Sequence, residues 1–401
     1  MQAKRMKRIQ GAAPQGWWAT HMTWTLQGLC ALYRETNDEK TLQVAERLAR
    51  YLKDEAQIIS EDGRFLASHE HEFPNIHWHH SFQVAIACAE YGLVSGDQEY
   101  LEFANTAYQH GLSLGSREIG FAPEYCYGKF PREQDFDNTE ACCTADLVLT
   151  ALWLTLSGHE DYWDDIDRFV RNQLAALQLT DSRWFYELPE NRGKWTYPDA
   201  EVEQLIAPLV GNFGGWATPN EWHNPELGCG IMTCCIGNCT RAMYYVWEQM
   251  VQFSDDELAV HLMLNRASPW ADIHSYLPNA GKLRVEVKQD VGRLRVRAPE
   301  WISAGSRIIT ASRNDSPCPL TWEGRYVVMS NPRSGETITF SFPIPSETTQ
   351  STIGRRDYTL TFRGNTVIDL QPPGARIPLY QRDAMRTEEV PLLTVTRYLA
   401  E

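Results

Sequence analysis

The stretch "ETNDEKTL" (Glu35 to Leu42) returns as "VSGDQEYL" (Val94 to Leu101) and again as "LSGHEDYW" (Leu156 to Trp163), a polar turn recurring with a period of about 60 residues. Each copy is flanked by apolar residues at helical spacing. Ahead of the first turn Trp18, Met22, Leu26, Leu29 and Tyr33 fall at steps of three and four, and after it Leu42, Ala45, Leu48 and Leu52 do the same. The second unit pairs Phe82 to Tyr91 with Tyr100 to Tyr108, and the third pairs Cys142 to Leu156 with Trp163 to Leu177. Three helical hairpins in series predict an α/α toroid or solenoid. A further helix is expected over Asn238 to Val251, after a long irregular segment, Thr180 to Thr233, rich in Trp, Pro, Gly and Asn.

From Leu258 the period changes to two. "LAVHLML", "GKLRVEVKQD", "RLRVRAPEW", "RYVVMS", "ETITFSF" and "YTLTFRG" alternate or run β-branched between Gly, Pro and Asn breaks, which predicts an antiparallel β-sandwich. The change falls near Phe253 to Leu258, so a helical domain over 1–255 and a β-sandwich over 256–401 are expected.

The chain of 401 residues is 43% hydrophobic and 11% aromatic, the make-up of an ordered globular protein of about two domains. Its net charge of −15 would repel a phosphate backbone, which argues against a nucleic-acid partner. No run of about 18 apolar residues occurs, and the basic start "MQAKRMKR" is not followed by a continuous apolar core. No membrane partner is expected, and a cytoplasmic location follows as the default.

In a reducing compartment ten cysteines serve metal binding or catalysis better than a disulfide framework. Two motifs stand out. In "DNTEACCTADLV" the residues Glu140 and Cys142 are two apart and cannot share a face of a regular helix, so they should straddle a helix start, with Asp137, Asn138 or Thr139 as its cap. In "GIMTCCIGNC" the adjacent Cys234 and Cys235 stand just before the expected helix. Unsatisfied N–H groups and the helix dipole favour anionic side chains at both positions. Glu140, Cys142, Cys234 and Cys235 would make a tetrahedral site for Zn2+. Two alternatives stay open: the cysteines are small buried hydrophobes, or Cys229 and Cys239 of "GCGIMTCCIGNC" form a competing knuckle. The tract "HEHEFPNIHWHH" (His69 to His80) offers a second reading as a metal tract. Trp78, Trp184, Trp195, Trp216 and Trp222 lie in expected loops where flat faces can stack on sugar rings, although core packing is the commoner use of tryptophan.

The order "HMTWTLQGLCALYRETND", "HHSFQVAIACAEYGLVSGDQEYLEFA", "FAPEYC", "TEACCTADLV", "CCIGNCTRAMYYVWEQ" and "DDELAVHLML" resembles the β-L-arabinofuranosidase family, glycoside hydrolase family 127, from about residue 15 to near the C-terminus. Glu-x-Cys and Cys-Cys-x-x-Asn are its most specific marks. The resemblance implies a helical barrel of six hairpins followed by a β-sandwich. It also implies a retaining glycosidase that acts on a β-linked L-arabinofuranoside or a related sugar. Carried over, Glu140, Cys142, Cys234 and Cys235 bind zinc, Cys234 is the nucleophile, and Glu124 in "GFAPEYC" is the acid/base. His21 and His80 match histidines that line the sugar pocket, and Asp167 stands where the family has a sugar-binding glutamate, with its reach shortened by about 1.5 Å. "CCIGN" replaces a proline-containing form. The chain also supplies fewer helices than a full barrel, so the toroid is expected to be incomplete: open, shortened at its N-terminus, or completed by a partner chain such as a second copy. A non-catalytic carbohydrate-binding or scaffold protein with structural zinc, and a sugar isomerase or epimerase on the same helical fold, are the competing readings.

Overall fold

The computed structural model describes residues 17–68, 76–127, 137–181, 204, 207–222 and 230–390. These divide into two compact units. The first comprises Met1–Ala242 with Thr352–Tyr358 and Pro372–Leu379, and the second the remainder from Met243.

The first unit is helical. Helices α1 (Trp17–Thr36) and α2 (Glu39–Arg50) form one hairpin, α3 (Trp78–Ser95) and α4 (Gln98–Ser113) the next, and α5 (Ala141–Leu156) and α6 (Trp163–Phe169) the third. Single π-helical turns, Tyr51–Glu55 and Val170–Leu174, prolong α2 and α6. The polar repeats supply the reversals. Asp38 caps α2 by accepting from the Thr41 N–H, and Asp97 caps α4 by accepting from the Glu99 N–H. Between α3 and α4, Gly96 takes φ +74° and returns its N–H to the Gly92 carbonyl, a left-handed ending that a side chain would strain.

The hairpins stack through their first members, α1 on α3 and α3 on α5. Accordingly α3 and α5 are buried on nearly every face, whereas α2 buries only Thr41, Ala45 and Ala49. This is the difference between a helix inside a core and an amphipathic helix on its surface. A seventh helix, α7 (Thr233–Gln249), begins before the expected Asn238. Seven helices lie among the described residues, where six hairpins would need twelve.

Two miniature ladders fix the chain around the helix starts. Strand β1 (Ile76–His77) pairs with β2 (Tyr125–Cys126), and β3 (Thr139–Glu140) with β4 (Trp216–Ala217).

The second unit holds β5 (Val251–Ser254), β6 (Glu257–Val260), β7 (Arg266–Ala267), β8 (Ala271–Ser275), β9 (Lys282–Val287), β10 (Arg293–Arg297), β11 (Thr310–Arg313), β12 (Ser316–Cys318), β13 (Thr321–Glu323), β14 (Tyr326–Ser330) and β15 (Thr337–Ser341). They form a five-stranded sheet in the order β13-β14-β10-β6-β5 and a six-stranded one in the order β12-β11-β15-β9-β8-β7. Alternation is clean in β9, where Leu283, Val285 and Val287 are buried and their neighbours are not. The wholly antiparallel arrangement expected from the sequence is corrected at one pair: β10 runs parallel to β6, with Leu294 opposite Leu258. The chain leaves β6 and returns through β7 to β9 of the other sheet before reaching β10, and that long connection lets the direction repeat. The strands β16 (Ser346–Ile353), β17 (Arg356–Arg363) and β18 (Thr366–Gln371) complete a three-stranded sheet. Among the described residues no helix is long and apolar enough to cross a membrane.

Candidate metal and catalytic site

Glu140 is the N-cap residue of α5, and Cys142 follows in its first turn. The three residues expected as caps are engaged elsewhere. Asp137 accepts from the Arg355 N–H and from Arg356 Nε, Asn138 donates to Glu124, and Thr139 donates to the Ala122 carbonyl. Glu140 makes no capping hydrogen bond with its side chain, which turns instead toward the start of α7. There Cys234 and Cys235 lie within the first helical turn, because α7 begins at Thr233.

One ligand atom from each of Glu140, Cys142, Cys234 and Cys235 lies within 4.8 Å of all the others. Sulfur separations are 3.5 Å from Cys142 to Cys235 and 4.0 Å from Cys234 to Cys235, and Glu140 Oε1 is 3.4 Å from each vicinal sulfur. A tetrahedral zinc ion, with bonds of about 2.3 Å to sulfur and 2.0 Å to oxygen, needs sulfurs about 3.8 Å apart and sulfur–oxygen separations of about 3.5 Å. The cluster fits a divalent cation of that size and softness. None of the three cysteines is in a disulfide, and Cys234 alone of them is exposed.

The electrostatics point the same way. Hydrogen bonds from Cys142 and Cys235 pull the Cys234 thiol far below its ordinary range, against the cost of burial. Cys142, which donates to Cys234 and Cys235 and is buried, is pushed well up. Cys235 also rises, because Cys234 and burial outweigh the bond from Cys142 that would favour its thiolate. Burial raises Glu140 to about 8, although His79 draws it down. Anions this close repel, so their ionised forms are disfavoured together. Ionising all four takes a cation between them.

Glu124 stands next to this cluster through shared neighbours. Its Oε1 accepts from Trp216 Nε1 at 3.1 Å, its Oε2 accepts from the Asn138 amide, and it is 6% exposed. The backbone holds it twice: its N–H reaches the Asn138 carbonyl, and its carbonyl accepts from Trp78 at 2.8 Å. Between Glu124 and Glu140 sits His77, whose Nε2 lies 3.8 Å from Glu124 Oε1 and 3.3 Å from Glu140 Oε2. His77 Nδ1 accepts from the His80 N–H as the N-cap of α3, so in the neutral ring the proton is on Nε2, facing the two carboxylates. The β1–β2 and β3–β4 ladders bring these groups together, setting His77 opposite Tyr125 and Glu140 opposite Trp216.

The remaining sequence-derived residues fall into different surroundings. His80 stacks on His77 with ring centroids 4.1 Å apart and so borders the cluster. His21 lies against Trp24 on α1. Asp167 pairs with Arg171 one turn along the same helix at 2.7 Å. Trp78 and Trp222 are core residues: the first stacks on Phe82 and the second donates to the Leu177 carbonyl. Trp216 holds Glu124, a role the sequence did not signal. Cys229, His69, His71, Trp184 and Trp195 lie outside the described residues. Cys239, the other half of the competing knuckle, is buried and donates to the Ala141 carbonyl. Among the described residues the metal-holding cluster includes no histidine of the tract at 69–80. Sequence reasoning passed over His77 as anything but a member of that tract; its position directly before a helix was the available signal.

The sequence matches no family model and no curated protein. Its fold is similar to solved structures. One is a GH127 β-L-arabinofuranosidase from Geobacillus stearothermophilus T6 (TM-score 0.55, 16% identity, covering 84% of this chain and 57% of that one). A second is another GH127 β-arabinofuranosidase (TM-score 0.58, 14% identity, 85% and 55%). A third is described as a glycoside hydrolase (TM-score 0.54, 12% identity, 85% and 59%). The chain spans between half and two thirds of the length of these structures.

Proposed function

We propose that this protein is a retaining glycoside hydrolase of the β-L-arabinofuranosidase type, acting through Cys234 and Glu124 in a helical catalytic domain (1–255) followed by a β-sandwich (256–401). The observation that carries the reading is the convergence of Glu140, Cys142, Cys234 and Cys235 at two helix starts, with Cys234 the one exposed residue of the four. The similarity of fold to two β-arabinofuranosidases supports it.

A bound divalent cation such as zinc, held by the four donors, would supply the charge that keeps Cys234 a thiolate at neutral pH. Cys234 attacks the anomeric carbon as Glu124 passes a proton to the departing glycosidic oxygen, and the sugar is left joined to sulfur. Glu124, now a carboxylate, takes a proton from water as that water displaces the thiolate, and two inversions give retention. His77 keeps its Nε2 proton directed at the carboxylates, and Trp216 and Asn138 fix the Glu124 carboxyl plane. His80, His21 and Asp167 are assigned to the sugar hydroxyls. Sugar at Asp167 has to compete with Arg171.

Metal analysis with p-nitrophenol release from a panel of furanosides tests this. The expected result is about one zinc per chain, with turnover that falls by at least about a thousandfold in Cys234→Ser and Glu124→Gln. Zinc without turnover on any furanoside would favour a non-catalytic carbohydrate-binding protein. Undiminished hydrolysis by Cys234→Ser would remove the nucleophile assignment.

A further inference from the structure

Behind the cluster lies a hydrogen-bonded ring of side chains that the proposed chemistry does not use. Asp146 on α5 is wholly buried and accepts from His79 Nδ1 at 2.6 Å, Gln83 Nε2 at 2.9 Å and Asn238 Nδ2 at 2.6 Å. Arg241 on α7 donates to Asn238 Oδ1 at 2.9 Å and to Gln27 Oε1 at 2.6 Å, and Gln27 Nε2 donates to Gln83 Oε1 at 3.0 Å. The circuit Asp146, Asn238, Arg241, Gln27, Gln83 is closed and draws on α1, α3, α5 and α7. Because an ionised carboxylate only accepts and a guanidinium only donates, the three amides between them each have one orientation that satisfies every bond.

The ring's place on the helices matters more than its size. Asp146 follows Cys142 by four residues on α5, and Asn238 follows Cys234 by four on α7, so both stand one turn below the sulfurs on the same helix faces. Asn238 Nδ2 is also 3.4 Å from the Cys142 carbonyl oxygen. The bond between Asn238 and Asp146 therefore ties the two helices together one turn from the point where their cysteines meet. A soft-metal site holds its bond lengths to about 0.2 Å, which a pair of helix starts free to slide would not keep.

We infer that Asp146 and Asn238, with the ring that completes them, are positioning residues that set Cys142 against Cys234 and Cys235 at the separation a divalent cation requires. This rests on the metal reading above, but not on turnover.

The test uses the full chain, with Zn2+ affinity measured by chelator competition and Co2+ absorption reporting thiolate coordination. Asn238→Ala and Asp146→Asn are expected to bind Zn2+ about 10- to 100-fold more weakly and to change the Co2+ spectrum. Leu152→Ala, buried on α5 six residues beyond Asp146 and so off its face, should lower thermal stability without altering either readout. If Asn238→Ala does not fold, Gln27→Ala opens the ring on its far side, with an expected loss of about three- to tenfold. Affinities within about twofold of wild type in the ring variants, or a loss in Leu152→Ala equal to theirs, overturn the inference. A wild-type protein that binds no Zn2+ overturns it together with the metal reading. Weakened Zn2+ binding by the variants of a protein that hydrolyses no furanoside supports it while removing the proposed activity.

Discussion

The outer helices α2 and α4 and the inner helix α5 begin in opposite ways. Asp38 and Asp97 each spend a carboxylate on the free N–H groups of an outer helix, and so the hairpin turns are closed by their own sequence. Glu140 occupies the same N-cap position on α5, and its carboxylate reaches across to Cys234 and Cys235. The neighbours that would cap α5 are pinned to Arg355, Arg356, Glu124 and Ala122. A helix start left uncapped inside a core is costly unless something else occupies it. The comparison teaches that the acidic and thiol groups at the α5 and α7 starts meet one another in a cluster able to hold a cation, whereas the carboxylates at α2 and α4 close their own helices.

The strongest probe of that contrast is Glu140→Ala. Removing the oxygen donor should weaken Zn2+ binding by more than about 100-fold, beyond the usual cost of disturbing a group behind the ligands, while the hairpins persist by circular dichroism. Wild-type affinity in this variant would leave Glu140 an ordinary buried carboxylate.

A smaller effect is expected from His79. Burial opposes its charge, but Asp146 overrides burial and lifts its pKa from the ordinary 6.5 to about 9. A group raised on folding stabilises the fold fully below its unfolded pKa, and that stabilisation is lost as pH rises through the folded value. In chelator-treated protein the melting temperature should therefore fall between about pH 7 and 9.5, by an amount equivalent to roughly 2 to 3 kcal/mol. His79→Gln should remove that part of the slope, and an unchanged slope would show that Asp146 does not hold a charged imidazole.

The smallest effect is expected on the outer helix. Asp97→Ala should cost about 1 kcal/mol by thermal denaturation and leave Zn2+ affinity untouched. A change in affinity would mean that the outer caps are coupled to the site and that the contrast between the two kinds of helix start does not hold.

Much of this arrangement was legible in the chain. Helical spacing around three polar turns gave the hairpins because an amphipathic period and an aspartate cap are local properties, and alternation in stretches such as "GKLRVEVKQD" gave the strands for the same reason. Glu-x-Cys and the vicinal cysteines marked two helix starts that suit anions, although the α5 cap and the first residue of α7 were each misjudged by a few positions. Three further features were not legible: the parallel pairing of β10 with β6, the approach of His77 Nε2 to Glu124 and Glu140, and the ring joining Gln27 to Asp146 and Arg241. Sequence by itself determined which segments are helix or strand and which residues carry suitable chemistry, since each of those depends on neighbours a few positions away. Only the tertiary structure decided which of them meet, because Cys142 and Cys235 stand 93 residues apart in the chain and are brought to 3.5 Å by the packing of whole helices.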